Sequence, residues 1–541
     1  MRIPAPCRAI SVVVASLTVT GVLGSFPKPP AARPAPPLSG KHGAVATEVA
    51  ECSTIGVDTM KAGGNAADAI LASGLCVGVV AAYHSGIGGG GFMLVRYPTS
   101  SKKHAYEMID FRETMPAAGN ETMYVTNSTT PQTLSTIGGL AVGVPGELRG
   151  WEKLHKRHGR LPWKALFQPA IKLARHGFTV NVDLAAALDS GKSWIPDDPL
   201  WAEVYAPNGT LLREGDTAYR KRYAETLELI AEHGADAFYN GRIAVNTAEA
   251  AYARGGILTA HDLANYTAII REPVNITYRN NRIFSTVAPS SGAVVLSALK
   301  VFEGYPANFK QSDAEINLST QRLIEATRFA YGQRTQYGDP AFTSNVTDLE
   351  KFYLTPKAVD SVRSQIKDNQ TFPLGYYDPT KYTPLEDHGT SHMAVIDGSG
   401  MAVSLTTTVN LFWGSQVMTT DGIILNDEMD DFSTPGQTNA FGFLPSPINF
   451  IRPFKRPQSS ISSSIAEDLL TGEVTIATGS AGGSRIITAT MQELHHYIDQ
   501  GMSPAECTHQ ARWHDQLSGQ TFSPKAATFR CRKGPLRGVK V

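Results

Sequence analysis

The segment His388-Gly389-Thr390-Ser391-His392 stands where the sequence changes character. Much of the chain before it has helical apolar spacing, and after it come short, β-branched segments typical of strands. A threonine hydroxyl is a weak nucleophile until a base removes its proton. Cleavage before Thr390 would create an α-amine beside that hydroxyl, with a pKa of roughly 7.7–8.0 that suits a general base. The pentapeptide alone, however, is more typical of a turn that enters a strand.

Periodicity on both sides of this segment predicts a layered α/β sandwich, with helices outside and antiparallel strands inside. A hairpin is expected around the turn Asp397-Gly398-Ser399-Gly400. Strand patterns occur at Met393–Asp397, Met401–Thr407, Gly422–Leu425 and Val474–Thr478. Helical patterns occur at Glu48–Met60, at Asn65–Val80 with Asn65 as N-cap, and over most of residues 150–260.

Ordered motifs flank the segment on both sides. Upstream lie Ser85-Gly-Ile-Gly-Gly-Gly-Gly91-Phe, Asp110-Phe-Arg112-Glu-Thr and Gly143-Val-Pro-Gly146. Downstream lie Ser404-Leu-Thr-Thr-Thr408-Val-Asn410-Leu-Phe-Trp-Gly414-Ser, Asn426-Asp-Glu428-Met-Asp-Asp431-Phe, Arg456-Pro-Gln-Ser459-Ser460 and Gly479-Ser-Ala-Gly482-Gly483-Ser. With these motifs in this order, the chain from about residue 41 to 517 resembles the γ-glutamyltransferase (glutathione hydrolase) family of N-terminal-nucleophile hydrolases. Each short motif alone would be typical of an ordinary loop or turn.

The resemblance implies a four-layer αββα sandwich and a precursor that cleaves itself between Gly389 and Thr390. Gly389 suits the scissile position because it lacks a side chain and tolerates unusual dihedral angles. The products would be a large subunit, 41–389, and a small subunit, 390–541. Thr390 would attack the γ-glutamyl amide of glutathione or its conjugates. Water or an amino-acid or peptide acceptor would then release the acyl group, without a cofactor or a metal.

The resemblance also assigns residues to the amino-acid head of the substrate. Arg112 would bind the α-carboxylate through its planar guanidinium fork, with help from Ser459 and Ser460. The α-ammonium offers only donors and needs acceptors, which would come from Asn410, Glu428 and Asp431. Near the reacting carbonyl, the N–H groups of Gly482 and Gly483 would form the oxyanion hole, and Thr408 would orient Thr390 by a hydrogen bond.

Two other functions remain open from the sequence. One is a related acylase for another side chain such as glutaryl, although a glutaryl group lacks the ammonium that Glu428 and Asp431 would hold. The other is a catalytically impaired family member, because from about residue 518 the small subunit has an atypical, truncated and basic end. A dinucleotide cofactor is rejected: Gly86-x-Gly88-x-x-Gly91 precedes a strand pattern, whereas the fingerprint requires a helix.

The N-terminus predicts export. Arg2 and Arg8 precede the apolar stretch Ile10–Leu23, so residues 1–27 fit a signal peptide or a signal anchor, followed by a proline-rich linker at 28–40. Either form directs the chain to the secretory pathway and an extracellular or lumenal, vacuole-like face, secreted or anchored in the plasma membrane. The 49 basic and 49 acidic residues balance, so nothing favours nucleic acid as a partner.

Sequons and cysteines agree with export. Glycosylation sequons begin at Asn120, Asn127, Asn208, Asn265, Asn275, Asn317, Asn345 and Asn369. Outside the targeting segment the chain has four cysteines, and an oxidising compartment permits disulfides among them. The family resemblance implies a bridge between Cys52 and Cys76, while two buried free thiols are the alternative.

Overall fold

The computed structural model describes residues 43–100, 103–125, 133–306, 312–380, 382, 389–436 and 445–517. Contacts divide the chain into Met1–Ser39 and Gly40–Val541, and all described residues belong to the second unit. The predicted signal segment 1–27, the linker 28–40 and the atypical end from about 518 lie outside the described residues. No helix of the described part is long and apolar enough to cross a membrane.

Two antiparallel sheets form the centre of this unit. The strands are β1 (Gly43–Ala46), β2 (Gly90–Ser100), β3 (Lys103–Asp110), β4 (Phe178–Thr179), β5 (Thr217–Ala218), β6 (Ile269–Arg271), β7 (Val274–Tyr278), β8 (Asn281–Ser285), β9 (Ser391–Asp397), β10 (Ala402–Thr408), β11 (Ser464–Asp468) and β12 (Val474–Thr478). The first sheet has the order β1-β9-β10-β2-β3-β6 and the second β12-β11-β8-β7, while β4 and β5 form a separate ribbon. The strand that begins at Ser391 is therefore interior to the larger sheet.

Helices precede, connect and follow these strands. They are α1 (Ala50–Lys61), α2 (Ala66–Val80), α3 (Thr133–Thr136), α4 (Glu147–His158), α5 (Trp163–His176), α6 (Val182–Ser190), α7 (Pro199–Tyr205), α8 (Lys221–His233), α9 (Asp236–Tyr239), α10 (Arg242–Ala253), α11 (Ala260–Asn265), α12 (Gly292–Phe302), α13 (Asp313–Arg334), α14 (Val346–Tyr353), α15 (Pro356–Gln365), α16 (Leu374–Tyr377), α17 (Arg485–Gln500) and α18 (Pro504–His509). Short 3-10 helices lie at Gly139–Ala141, Ile195–Asp197, Glu428–Asp431 and Pro447–Asn449.

Side-chain alternation along β2 explains the layering. Met93 and Val95 belong to an apolar core shared with α1, α2 and α5. Leu94, between them, packs instead with Ile465 of the second sheet. On the far side of that sheet, a separate core joins its strands to α12, α13 and α17. Because successive strand residues face opposite sides, each sheet buries one face against helices and the other against its partner sheet. This arrangement confirms the predicted four-layer αββα sandwich.

The predicted N-cap of α2 and the predicted β9–β10 hairpin are both confirmed. Asn65 caps α2 by accepting from the backbone N–H of Asp68, in a reciprocal capping box. β9 and β10 form the expected hairpin. The predicted strand Gly422–Leu425 is wrong: Ile424 makes only an isolated bridge with Met418. The physical reason is a local turn, since Gly422 has φ of 75° and its N–H donates to the carbonyl of Thr419 at 2.9 Å.

The disulfide between Cys52 and Cys76 is present and joins α1 to α2, as the family resemblance implied. Cys507 is a buried free thiol. After the glycine-rich motif at 86–91 the chain enters β2 and not a helix, which agrees with the rejection of a dinucleotide fingerprint.

Candidate active site

Thr390 lies directly before β9, whose neighbours in the sheet are β1 and β10. Gly389 is also buried, and the exposed fraction of Thr390 is 5%. The register pairs Thr407 of β10 with Ser391, so its continuation by one residue brings Thr408 opposite Thr390. The candidate nucleophile thus stands at the end of an interior strand, next to the segment of β9 that pairs with β10.

The peptide bond between Gly389 and Thr390 has unusual backbone geometry on both sides. Gly389 has φ of 107° and Thr390 has φ of 138°. A positive φ is an outlier for a β-branched residue, and such conformations cost of order 1–3 kcal/mol. A Cβ on Gly389 would come within 1.9 Å of the carbonyl oxygen of Asn410. Only glycine therefore fits before Thr390, and the uncleaved bond carries strain.

Thr408 and Asn410 connect this bond to the rest of the site. Thr408 Oγ1 accepts a hydrogen bond from the backbone N–H of Asn410 at 2.7 Å. Asn410 Nδ2 donates to the carbonyl oxygen of Asp427 at 3.1 Å. In the described part of the uncleaved chain no hydrogen bond joins Thr408 to Thr390. The orienting bond from Thr408 remains a prediction for the cleaved enzyme.

Arg112 is the centre of a buried ionic cluster. It follows β3, and its exposed fraction is 1%. Nη1 pairs with Glu428 and Nη2 pairs with Asp431. Nη2 also donates to the carbonyl oxygen of Gln458 at 3.0 Å, and Nε donates to that of Pro457 at 3.3 Å. The structure therefore brings together the residues that the sequence assigned to opposite ends of the substrate head.

The electrostatics of this cluster suit a ligand that carries both charges. Burial raises the pKa of Glu428 well above its ordinary range and also raises that of Asp431, and Arg112 opposes both shifts. Glu428 Oε2 is buried and accepts no hydrogen bond within the described residues. An α-amino acid could place its carboxylate on Arg112 and its ammonium on the two acids. That exchange would give Arg112, Glu428 and Asp431 each a partner of opposite charge.

The serine pair lies in the same loop as the carbonyls that hold Arg112. Ser459 Oγ accepts from the N–H of Ile461 at 3.2 Å. Ser460 Oγ accepts from Arg334 Nη2 at 3.0 Å. Arg334 is a residue that sequence reasoning missed. It is the last residue of α13, is buried, and its charge lowers the pKa of Asp431 against the stronger effect of burial.

Gly482 and Gly483 form the turn between β12 and α17. Their φ values are 115° and 61°. Within the described residues neither of their N–H groups donates a hydrogen bond, so both donors are available. The loop packs against the nucleophile strand, since a Cβ on Gly479 would come within 2.5 Å of the His392 ring. Free backbone donors on such a loop are what stabilisation of an oxyanion requires.

The chain matches known proteins over most of its length. The sequence profile described as Gamma-glutamyltranspeptidase matches residues 52–526. A "Glutathione hydrolase proenzyme" from Arthroderma benhamiae is 47% identical over 499 residues, which cover 90% of this chain and 84% of that protein. A "Glutathione hydrolase" from Aspergillus flavus is 43% identical, with coverage of 88% and 79%. A "Glutathione hydrolase proenzyme" from Escherichia coli is 37% identical, with coverage of 90% and 85%.

Solved structures agree on the fold. A cephalosporin acylase from Bacillus halodurans superposes with a TM-score of 0.73 at 26% identity, covering 91% of this chain and 87% of that one. The γ-glutamyltranspeptidase of Helicobacter pylori gives a TM-score of 0.57 at 29% identity, covering 62% of this chain and 94% of that chain.

Proposed function

The chain belongs to the γ-glutamyltranspeptidase family, and from that premise we propose that Thr390, freed by cleavage after Gly389, is its nucleophile. The protein is a glutathione hydrolase and γ-glutamyltransferase. The observation that carries the assignment of Thr390 is the strained Gly389–Thr390 bond directly before an interior strand. The subunits would be 41–389 and 390–541.

In the proposed self-cleavage, the hydroxyl oxygen of Thr390 attacks the carbonyl carbon of Gly389. The amide N–C bond breaks, and the nitrogen of Thr390 takes up the proton that the hydroxyl loses and becomes an amine. The resulting ester is hydrolysed by water, which leaves a carboxylate on Gly389 and restores the hydroxyl. Release of the strain at Thr390, a β-branched residue with positive φ, favours this direction.

The same hydroxyl then serves catalysis. The α-amine of Thr390 accepts the hydroxyl proton while the oxygen attacks the γ-carbonyl of the substrate. The negative charge of the tetrahedral state falls on the carbonyl oxygen, where the N–H groups of Gly482 and Gly483 would stabilise it. The protonated amine returns its proton to the leaving amine. Water or the amino group of an acceptor then attacks the acyl-enzyme.

Recognition of the glutamyl head is assigned to the cluster around Arg112. The substrate carboxylate would take the guanidinium fork with Ser459 and Ser460, and the ammonium would bind Asn410, Glu428 and Asp431. The support is the buried pairing of Arg112 with both acids, together with the unfilled acceptor Oε2 of Glu428.

A glutaryl acylase is the second candidate, and the similarity to the acylase from Bacillus halodurans favours it. The substrates of the two candidate enzymes differ in one group, because a glutaryl group lacks the α-ammonium of a γ-glutamyl group. Two carboxyls buried beside Arg112 would have no partner on a glutaryl substrate, which is costly in a buried site. This argument favours γ-glutamyl substrates.

We assign the protein to the secretory pathway, on an extracellular or lumenal face. Seven of the eight predicted sequon asparagines lie in the described part, and all seven are exposed: Asn120, Asn208, Asn265, Asn275, Asn317, Asn345 and Asn369. Asn127 lies outside the described residues, as does the predicted membrane anchor. The sequons are tested by the mass of the purified protein before and after enzymatic removal of N-linked glycans.

The cleavage proposal is tested by determining the N-termini of the purified protein by mass spectrometry. The expected result is two chains, one of which begins at Thr390. An active preparation in which residues 389 and 390 remain joined would reject the proposal.

A further inference from the structure

Glu48, His84 and Ser391 form a hydrogen-bonded cluster next to the proposed nucleophile in sequence. Ser391 Oγ donates to Glu48 Oε1 at 2.5 Å. His84 Nε2 lies 2.8 Å from the same oxygen. Ser391 and His84 are buried, whereas Glu48 is an exposed residue whose side chain is 29% accessible to solvent. None of these three side chains has a part in the reaction proposed above.

The pairing of β1 with β9 brings the chain around residue 48 close to residue 391. β1 runs antiparallel to β9 with Ala46 opposite Ala394. The pairing ends there, and Glu48 and Ser391 lie two and three residues beyond this pair, at the end of β9 next to Thr390. The Thr47 hydroxyl fixes the turn before α1, since it donates to the carbonyl of Val49 at 2.7 Å and lies 2.9 Å from Ser53 Oγ.

His84 joins the cluster to the segment that carries the predicted ammonium ligand Asn410. Its carbonyl oxygen accepts from the N–H of Val409 at 3.1 Å. Its ring lies beside the rings of Tyr83 and Phe412, at centroid distances of 4.2 and 6.3 Å. The Glu48 carboxylate therefore contacts Ser391, which follows Thr390, and His84, whose carbonyl is bonded to the residue before Asn410.

Self-cleavage before Thr390 would give the cluster of Glu48, His84 and Ser391 a role in holding the new chain end. Once the bond to Gly389 breaks, Thr390 becomes a chain end, and chain ends lose order unless something holds them. Ser391 is the next residue, and its hydroxyl is held by a carboxylate of the other subunit. We propose that Glu48 is a positioning residue that fixes the new N-terminus through Ser391 and thereby aims the Thr390 hydroxyl and amine. The inference rests on the proposed function of Thr390.

Four variants test the proposal: Glu48→Ala, Glu48→Gln, Ser391→Ala and the control Glu51→Ala. The control removes an exposed glutamate from the first turn of α1. Hydrolysis of γ-glutamyl-p-nitroanilide is measured per mole of cleaved small subunit. Since a displacement of about 1 Å can cost roughly 100-fold in rate, we expect Glu48→Ala to lower kcat by about 10- to 100-fold, with KM within about twofold.

Rescue distinguishes positioning from general loss of structure. Glu48→Gln retains an oxygen that accepts from Ser391, so it should recover most of kcat. Ser391→Ala should lower kcat, and its combination with Glu48→Ala should be no worse than Glu48→Ala alone, because both remove the same contact. The control should retain wild-type kcat and KM.

Several results would overturn the inference: wild-type kcat in Glu48→Ala, a change confined to KM, or a Gln variant as defective as the Ala variant. If Glu48→Ala stays uncleaved, its melting temperature is compared with that of uncleaved Thr390→Ala. If the two melting temperatures are equal, Glu48→Ala is folded and its Thr390 Oγ is misaligned, which supports the proposal. If Glu48→Ala melts at a lower temperature, Ser391→Ala becomes the test, and unfolding of Ser391→Ala would overturn the proposal. Activity in Thr390→Ala would instead reject the proposed function itself.

Discussion

Arg112 and Glu428 form a buried ion pair between residues 316 positions apart, on opposite sides of the proposed cleavage point. The pair therefore links the two proposed subunits as well as forming part of the predicted substrate site. Removal of one partner of such a pair leaves an uncompensated charge, which costs about 3–5 kcal/mol. Substitutions of Arg112 or Glu428 that keep a charge or a polar group therefore test substrate binding with less loss of stability.

Arg112→Lys should raise KM for glutathione by about 10- to 100-fold while self-cleavage proceeds. The reason is that a lysine ammonium is a point charge and cannot offer the two parallel donors that a carboxylate accepts. Steady-state kinetics and a denaturing gel measure both effects. Arg157→Lys is a matched control, since Arg157 on α4 makes a bidentate pair with Glu107 on β3. An unchanged KM in Arg112→Lys would contradict the carboxylate assignment.

Glu428→Gln should weaken discrimination between γ-glutamyl and glutaryl substrates. The amide keeps the shape of the side chain but loses the charge that the ammonium needs, and hydrogen bonds to charged groups are worth about 1.5–3 kcal/mol. We expect kcat/KM for γ-glutamyl-p-nitroanilide to fall by about 10- to 100-fold and that for glutaryl-p-nitroanilide to stay within about threefold. An equal fall for both substrates would mean that Glu428 does not read the ammonium.

Gly389→Ala should block self-cleavage. The new Cβ would meet the carbonyl oxygen of Asn410 at 1.9 Å, and the φ of 107° is unfavourable for alanine. Gly255→Ala is the control, because Gly255 also has a positive φ, of 82°, but open space around its Cβ position. A denaturing gel should show an intact chain in the first variant and two subunits in the second. Normal cleavage of Gly389→Ala would show that the surroundings of the bond do not constrain it.

Glu350→Gln should make stability less dependent on pH. Burial raises the pKa of Glu350 to about 8, and its Oε1 accepts from the N–H of Ala288 at 2.8 Å. Because the folded-state pKa lies above the unfolded one, the folded state holds the proton more tightly. This contribution is full below about pH 4.3 and is lost as pH rises to about 8.

Glutamine keeps the acceptor without ionising, so the variant should gain in melting temperature relative to wild type between pH 5 and pH 8. Thermal unfolding at intervals of one pH unit measures the difference. A constant difference across that range would show that Glu350 does not titrate there.

The sequence predicted those features of the fold that depend on residues close together in the chain. Asn65 was predicted as the N-cap of α2, and the turn that begins at Asp397 predicted the β9–β10 hairpin. Long-range partners gave no such signal. Arg334 reaches Ser460, 126 residues away, and a single arginine at a helix end is ordinarily exposed. Ser391 and Glu48 are 343 residues apart and come together only because β1 pairs with β9 nearby.

The central claim is that a chain begun at Thr390 carries the acyl group, and it is tested most directly by trapping that intermediate. The enzyme is mixed with a γ-glutamyl substrate, quenched in acid and analysed by mass spectrometry of the intact subunits and of their peptides. We predict a small subunit that begins at Thr390 and gains the mass of one γ-glutamyl group on that residue, with no gain in Thr390→Ala. A γ-glutamyl group on another residue, or turnover by a chain still joined at 389 and 390, would contradict the account.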